Sequence, residues 1–256
     1  MKNDISVIIT TYNEEKNIID CIKSAFLLTH NIIVVDTEST DNTRRIAGKL
    51  GVNVYTYPYK GFVEPVRDFA IQKVETTWLF ILDADERITP ELAEEIKKSM
   101  WDTEATHFKI PRKNIFAHRK WLKHGGWYPD YVMRLMQKKA YKSWPDSIHS
   151  TPLISGKQDC LNNPLIHYFH PDMESVVKKT AVFEDKESDL LFKAGKTVTT
   201  KTFFRKFFGE LNRRLVVQKG FLDGPYGVIE SFYQAYSKTV TYLLLYEKRK
   251  RKSTSL

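Results

Sequence analysis

Two aspartates follow an apolar run directly, in the order Asp83-Ala84-Asp85. The run itself, Trp78 to Leu82, is typical of a buried strand, so the carboxylates are expected where that strand reaches the surface. Residues two apart on an extended strand share a face, so the pair can offer hard oxygen ligands to Mg²⁺ or Mn²⁺. Such a metal would neutralise the phosphates of a nucleotide. The alternative is a solvated acidic turn before the helix predicted from Thr89-Pro90-Glu91.

Length and composition favour a folded globular protein. The chain has 256 residues, of which 42% are hydrophobic and 28% charged, enough for one full core with a smaller appendage. Two cysteines, Cys21 and Cys160, give no disulfide framework and favour a reducing compartment. The N-terminus has no apolar signal region and no stretch reaches about 18 uncharged apolar residues, so we expect neither export by such a signal nor a membrane span.

Strands and helices alternate through the first hundred residues. Strands are predicted at 6–10, 32–35, 52–55 and 78–82, with helices from the Asn13 cap, after the second strand and at 64–74. This alternation is typical of crossover units in a parallel sheet. Polar residues stand just past the strand ends, where open α/β sheets bind ligands. From about residue 106 the pattern changes to short strands rich in aromatic and basic residues. We interpret this half as the region that would bind an acceptor substrate.

Several motifs in this order resemble those of the family-two inverting glycosyltransferases. Residues 7–14 resemble the family's opening strand and nucleotide-binding turn. Val34-Val35-Asp36 with Ser39-Thr40-Asp41 resembles its second strand and the loop after it, and residues 82–87 resemble its metal motif. The closest resemblance is to the lipopolysaccharide-core β-1,4-glucosyltransferases, through Gly125 to Asp130 and Arg134-Leu135. The chain departs from the family at Glu38, where a small residue is usual, and at Ser150, where a glutamate usually follows the histidine.

The resemblance implies an α/β fold of the GT-A class, a Rossmann-like, mostly parallel sheet flanked by helices, with C-terminal amphipathic helices. We expect a glycosyltransferase domain over residues 1–175, divided into a nucleotide-sugar half at about 1–105 and an acceptor half at about 106–175. Residues 176–256 are then expected to form a helical extension that associates with membranes.

The nucleotide-sugar site follows from the same resemblance. Its expected residues are Thr10, Tyr12, Asn13, Asp36, Arg67, Asp83, Ala84 and Asp85. A carboxylate such as Asp36 can accept a hydrogen bond from the uracil imide, and the guanidinium of Arg67 suits the base or the phosphates. The alternatives are a loop cap for Asp36 and a surface ion pair with Glu64 for Arg67.

Displacement of a nucleoside diphosphate by a sugar acceptor needs a base. Asp130 is the candidate, with Trp127 and Tyr131 expected to supply a stacking platform and an apolar surround that raises its pKa. Asp146 has the same Pro-Asp chemistry and stays an alternative, as does a simple turn role for either. The acceptor side is expected to include Trp127, Tyr128 and Arg134, although Arg134 is equally compatible with a strand-surface arginine.

The metal site is expected to hold Mg²⁺ or Mn²⁺ on Asp83 and Asp85, and the resemblance implies His149 as a further ligand or as a phosphate contact. His167 and His170 stand at helical spacing and are interpreted as a local structural pair, since no third zinc ligand is evident.

The C-terminal region combines apolar stripes with basic residues. Phe203, Phe204, Phe207 and Phe208 interleave with arginine and lysine, and the run from Lys248 to Lys252 is entirely basic. This combination fits helices lying in a membrane interface, while the alternative is packing of the stripe on the core.

We therefore predict a metal-dependent inverting hexosyltransferase that moves glucose from a UDP-sugar to a membrane-associated glycolipid such as lipopolysaccharide core. It would act at the cytoplasmic face of the bacterial inner membrane, bound peripherally to anionic lipid. Polyprenyl phosphate, capsule and protein glycan stay open as acceptors, and a catalytically silent nucleotide-sugar binder is a rival. The formal charge of +9 also motivates a nucleic-acid binder, but no nucleic-acid motif accompanies the basic run, so no nucleic-acid partner is expected.

Overall fold

The computed structural model describes residues 4–60, 64–101, 103–145, 150–169 and 173–254. The chain divides into two compact units. The first contains Met1–Lys113 and Asp130–His167, and the second contains Asn114–Pro129 and Tyr168–Leu256.

A parallel sheet forms the first part of unit 1. Its strands are β1 (Ile5–Thr11), β2 (Ile32–Asp36), β3 (Asn53–Thr56) and β4 (Trp78–Asp83), in the spatial order β3-β2-β1-β4. The helices between and after them are α1 (Ile18–Ala25), α2 (Thr43–Lys49), α3 (Glu64–Gln72) and α4 (Pro90–Ser99). The four predicted strands are confirmed. Three of them are buried apolar runs, as expected inside a covered parallel sheet, whereas β3 is the outermost and is largely exposed.

The first helix begins later than the sequence predicts. Asn13 has a φ of 53°, and the residue that caps α1 is Asn17, so the chain turns before the helix starts. The α4 cap is regular, since the Thr89 hydroxyl accepts a hydrogen bond from the Leu92 backbone at 3.2 Å and Pro90 follows in the first turn.

Strands that pair mostly in antiparallel register follow in the chain. They are β5 (Glu86–Arg87), β6 (Ala105–Phe116), β7 (Lys120–Trp121), β8 (Asp130–Gln137), β9 (Tyr141–Ser143), β10 (Leu153–Ile154), β11 (Lys157–Cys160) and β12 (Leu165–Phe169). β8 extends the parallel sheet, since it pairs with both β4 and β6 in antiparallel register, and β12 pairs with β5. His167 therefore lies on a strand, so its interpretation at helical spacing is wrong, and its partner His170 lies outside the described residues.

Alternate side chains of the central strand β1 serve two cores. On one face of the sheet, Val7 and Ile9 share a core with residues of α1 and α4, whereas on the other face Ile8 shares a core with residues of α3. Helices thus cover both faces of the sheet, as its continuous apolar strands require.

Three helices dominate unit 2. They are α5 (Met173–Lys193), α6 (Thr200–Leu211) and α7 (Pro225–Thr254), and α7 packs against the other two. A π-helical segment, Asn212–Val217, and a 3₁₀ turn, Gly220–Asp223, connect α6 to α7. In the part of the chain that the structure describes, no helix has the length and apolar character needed to cross a bilayer.

Candidate active site

The loops that follow β1 and β2 in unit 1 are joined by hydrogen bonds from backbone to side chain. The backbone N–H of Asn13 donates to Ser39 Oγ at 2.8 Å, and that of Glu14 donates to Thr43 Oγ1 at 2.8 Å. In return, Asn13 Oδ1 accepts from the Thr40 backbone at 2.8 Å. These bonds hold the two strand ends together, and they explain why the chain turns here instead of starting a helix.

Three buried polar atoms at this edge of the sheet have no hydrogen-bond partner among the described residues. Asp36 is 1% exposed, and its Oδ2 accepts a hydrogen bond from the Ser39 backbone at 3.0 Å. Its other oxygen, Oδ1, has no hydrogen-bond partner among the described residues, and neither do the hydroxyls of Thr10 and Thr11. Burying a polar atom unpaired is costly, so a ligand donor is the expected partner. Asp36 therefore caps the loop through Oδ2, as the alternative proposed, and Oδ1 remains as an acceptor for a ligand.

An aromatic pair lies beside the same loops. The rings of Tyr12 and Tyr59 stack with centroids 4.1 Å apart and an interplanar angle of 11°. Glu38 has a φ of 59°, in the left-handed region that glycine adopts most readily. The Glu38 carboxylate accepts from the Tyr59 backbone at 3.1 Å, so the residue keeps the tyrosine in place.

The Asp83-Ala84-Asp85 motif is not an extended strand. β4 ends at Asp83, and Ala84 and Asp85 lie in the turn before β5, so the prediction that the two carboxylates share a strand face is wrong. Asp83 Oδ1 accepts from Arg67 at 3.1 Å, while Oδ2 accepts from Arg134. Burial favours the protonated form of Asp83, but Arg134 and then Arg67 outweigh it and hold the pKa of this carboxyl well below its usual range.

A chain of charges runs on from Asp83. Arg134, with a side chain only 4% exposed, also donates to Glu86 at 2.6 Å. The carboxylate of Glu86 is fully buried and lies 3.4 Å from Arg112, and Arg112 donates to Asp130 at 2.6 and 2.9 Å. Burial opposes the charge on Arg134, but Asp83 and Glu86 raise the pKa of its guanidinium above the usual range. Arg134 is therefore not a surface arginine.

Two members of this network, Glu86 and Arg112, have no predicted role. Glu86 follows the motif directly, and Arg112 is brought to Asp130 by the antiparallel register of β6 and β8. Arg112 is a charged neighbour of Asp130 in place of the predicted apolar surround, and Tyr131 is 46% exposed. Only the alternating pattern of strand β6 could have signalled which face Arg112 occupies.

Arg67 also takes an internal partner. It is 8% exposed, pairs with Asp83 and lies with its guanidinium carbon 4.5 Å from the centre of the Trp144 ring. Arg67 is therefore not a surface residue, and the side chain of Glu64, its partner in the alternative, is not among the described side chains. Stacking and pairing together fix a guanidinium beside the motif.

Near the motif, the described side chains that could act as metal ligands include Asp85 and His167. Asp85 Oδ2 lies 3.6 Å from His167 Nε2. Within the described ranges no group of three histidine, cysteine or acidic residues could hold a metal ion. The predicted ligand His149 and the alternative base Asp146 both lie outside the described residues.

The predicted aromatic acceptor residues belong to unit 2. The ring of Trp127 packs against Phe169 with centroids 4.6 Å apart, and Tyr128 meets Trp121 edge to face at 5.3 Å. Trp127 is therefore half-buried and packs against the small core that contains Phe169. Of the two preceding glycines, Gly126 has little space for a side chain, since a Cβ there would lie 2.7 Å from the Gln218 side chain.

A buried aspartate holds the start of that glycine loop. Asp223 Oδ2 accepts from the backbones of Lys123 and His124 at 2.8 and 2.7 Å, and Oδ1 lies 3.0 Å from His124 Nδ1. No local sequence signal indicates this anchor, because the bonded residues are 99 and 100 positions apart.

Comparison with known proteins finds similar sequences and similar folds. The family model described as glycosyl transferase family 2 matches residues 6–155. An uncharacterized glycosyltransferase of Rickettsia conorii is 27% identical over 245 residues, covering 91% of this chain and 86% of the relative. TarS of S. aureus, solved as residues 1–349, is 14% identical with a TM-score of 0.51, covering 97% of this chain and 91% of that one.

A mannosyltransferase from Pyrobaculum calidifontis, solved with GDP-Man and Mn²⁺, is 12% identical with a TM-score of 0.53, covering 96% of this chain and 86% of that one. At these identities the likeness concerns the fold. The predicted α/β fold of the GT-A class is confirmed.

Proposed function

The chain belongs to glycosyl transferase family 2, and from that membership we propose an inverting hexosyltransferase that uses a UDP-sugar and acts on a membrane-associated glycolipid. Glucose is the proposed sugar and lipopolysaccharide core the proposed acceptor, because the Gly125 to Asp130 motif resembles that subgroup. The proposed place of action is the cytoplasmic face of the bacterial inner membrane.

The unpartnered Oδ1 of Asp36 is the observation that carries the donor proposal. It is a buried acceptor at the carboxyl end of β2, and the imide N–H of uracil is a donor of matching chemistry. The Tyr12 and Tyr59 pair supplies an aromatic surface beside it. The hydroxyls of Thr10 and Thr11 add two further buried polar atoms for the nucleoside.

A divalent metal fits one carboxylate of the motif better than the other. Both oxygens of Asp83 accept from arginines, whereas Asp85 lies beside the imidazole of His167. A carboxylate is the ligand type that suits Mg²⁺ and Mn²⁺. We propose that Asp85 holds the metal together with the donor phosphates, with His149 as a further predicted ligand. Bound there, the metal would neutralise the charge that develops on the leaving diphosphate.

Asp130 is the proposed base. The acceptor hydroxyl gives its proton to the Asp130 carboxylate while its oxygen bonds to the anomeric carbon, and the bond from that carbon to the UDP oxygen breaks. Arg112 holds one oxygen of Asp130 through two nitrogens and thereby orients the carboxylate. Arg67 and Arg134 keep Asp83 ionised and fixed at the strand end.

Nucleotide binding tests the donor proposal. UDP and UDP-sugars should protect the full chain against thermal unfolding more than GDP-mannose does, and Mn²⁺ should increase the protection. Asp36→Asn should weaken UDP binding roughly 10- to 150-fold, the equivalent of about 1.5–3 kcal/mol for a hydrogen bond to a charged group. Asp20→Asn, on the exposed side of α1, is the control. Wild-type UDP affinity in Asp36→Asn would refute the assignment.

Turnover tests the base. Asp130→Asn should lower the transfer rate by about 10²-fold with little change in UDP binding. Asp146→Asn is the paired variant, and if it alone loses activity the two roles must be exchanged. Measurable release of UDP by the wild type would exclude the silent-binder alternative, which is motivated by Ser150 after His149. Acceptor panels of lipopolysaccharide, polyprenyl phosphate, capsule and protein glycans would separate the remaining candidates.

A further inference from the structure

Helix α7 in unit 2 buries four polar side chains beside the buried Tyr233, Ala235, Tyr242 and Leu245. Glu230, Ser231, Ser237 and Thr241 are buried, with Thr241 at 0% exposure. Ser237 and Thr241 both donate to Glu184 of α5, and Ser231 donates to the Gly227 carbonyl at 2.6 Å. These three hydroxyls are therefore satisfied within the unit.

The outward side of the same helix is apolar. Ile229, Phe232, Tyr236 and Leu243 are 47%, 48%, 51% and 51% exposed, and their spacing of three, four and seven residues places them on one face. A helix on the surface of a protein in water typically carries charged and polar residues on its outward side. The outward face of α7 thus suits an apolar environment.

Helix α6 continues this surface. Phe207 lines an open groove of about 420 Å³ together with Ile229, Phe232 and Tyr236 of α7. The Phe207 ring contacts Phe208, and Phe208 stacks on Phe204 at 6.5 Å with an interplanar angle of 7°. Phe204 and Phe208 are 63% and 59% exposed. We call these six residues, Phe204, Phe207, Phe208, Ile229, Phe232 and Tyr236, the aromatic face.

Positive charge accompanies the aromatic face. Residues 200–254 contain twelve lysines and arginines but only four aspartates and glutamates. Lys201 and Arg205 are exposed on α6, close in sequence to the phenylalanines. The last basic run is not a loose tail, because α7 continues through it and Lys248 pairs with Asp189 of α5 at 2.5 Å.

We propose that the aromatic face docks in the interface of an anionic lipid bilayer, with α6 and α7 lying along the membrane surface. Aromatic side chains flanked by lysine and arginine are the combination that inserts at the headgroup boundary. A second copy of the chain is the competing occupant, but it would bring two strongly positive segments together. The inference rests on the proposed function only in that the acceptor is a membrane lipid.

Vesicle sedimentation of the full chain tests the docking. Wild type should sediment with vesicles of phosphatidylcholine mixed with phosphatidylglycerol, and much less with phosphatidylcholine alone. Phe204→Ser with Phe208→Ser should weaken binding by about tenfold or more at both low and high salt, because inserted apolar area is not screened. Lys201→Glu with Arg205→Glu should weaken binding mainly at low salt.

A matched control removes exposed apolar groups elsewhere. Trp101 and Leu153 of unit 1 are 61% and 54% exposed, and the double Ser variant should sediment like wild type. UDP release without acceptor should be unchanged in the Phe204 and Phe208 variant, so a defect in docking is distinguishable from a defect in donor chemistry. Wild-type protein left in the supernatant, or dimers that depend on Phe204 and Phe208 and no vesicle binding, would overturn the proposal.

Discussion

Replacing Arg134 by methionine tests whether the charges around the aspartate motif form one unit. Arg134 donates to both Asp83 and Glu86, and Glu86 is fully buried. Without the guanidinium, Glu86 retains Arg112 at 3.4 Å and the Asp83 backbone N–H at 3.0 Å. Arg134→Met therefore leaves buried negative charge only partly compensated.

The expected loss follows from removing one partner of a buried ion pair, which costs about 3–5 kcal/mol. Since about 1 kcal/mol corresponds to 2–4 °C in a chain of this size, the melting temperature should fall by roughly 6–20 °C. The pH dependence should change as well. Because the pKa of Asp83 is lowered in the folded state, its charged form stabilises the fold at pH values above the ordinary pKa of 3.8. That stabilisation is lost as the pH falls through the lowered pKa. Arg134→Met should therefore move the acid transition to higher pH.

Scanning calorimetry of three variants separates the explanations. Arg134→Lys keeps a charge but loses the planar fork, so it should lose less stability than Arg134→Met. Arg134→Met combined with Glu86→Gln removes the uncompensated carboxylate and should be more stable than Arg134→Met alone. A melting temperature equal to wild type in Arg134→Met, or fully additive losses in the double variant, would refute the reasoning.

Three further perturbations follow from the structure. Burial raises the pKa of Glu230 to about 7, so the stability of the fold should decrease as the pH rises from 4.5 to 7. In urea unfolding at pH 8, Glu230→Gln should be more stable than wild type by up to about 3 kcal/mol. Identical pH profiles of the two proteins would contradict this. Asp223→Ala leaves the N–H groups of Lys123 and His124 unpaired and should cost at least about 2 kcal/mol, more than Asp223→Asn; equal stability of the two variants would count against the anchor. Asp85→Ala should abolish the extra protection by Mn²⁺ in UDP binding and keep the metal-independent part, and retained Mn²⁺ dependence would exclude Asp85 as the ligand.

The strand core is the part that could be predicted from sequence. β1, β2 and β4 consist mainly of buried apolar residues, and such segments predict strands dependably here because both faces of the sheet are buried. The position of Asp36 follows from that prediction, since the residue ends β2. The start of α1 could not be predicted, because the Asn13 backbone is held by Ser39, a partner 26 positions away.

The geometry of the charged site depends on pairings between distant parts of the chain. Arg112 meets Asp130 through the register of β6 and β8, and Arg134 reaches Asp83 from a strand that is 51 positions away. Local sequence carries no information on such a register. The prediction that Asp83 and Asp85 share a face rests on strand geometry continuing for two more residues, and the turn at Ala84 removes that condition.

Helix α7 illustrates a different limit, in which periodicity predicts two stripes but not which one is buried. The usual rule would turn Ile229, Phe232 and Tyr236 inward and leave Ser237 and Thr241 in water. In the structure both hydroxyls are buried and donate to Glu184 of α5, and Ala235 and Leu245 are buried on the same helix. The Glu184 contacts and this apolar packing together favour one rotation of α7 about its axis, and that rotation presents the aromatic stripe outward. The inward polar contacts and the outward apolar surface are therefore two consequences of one packing arrangement, and substitution of Glu184 should disturb both.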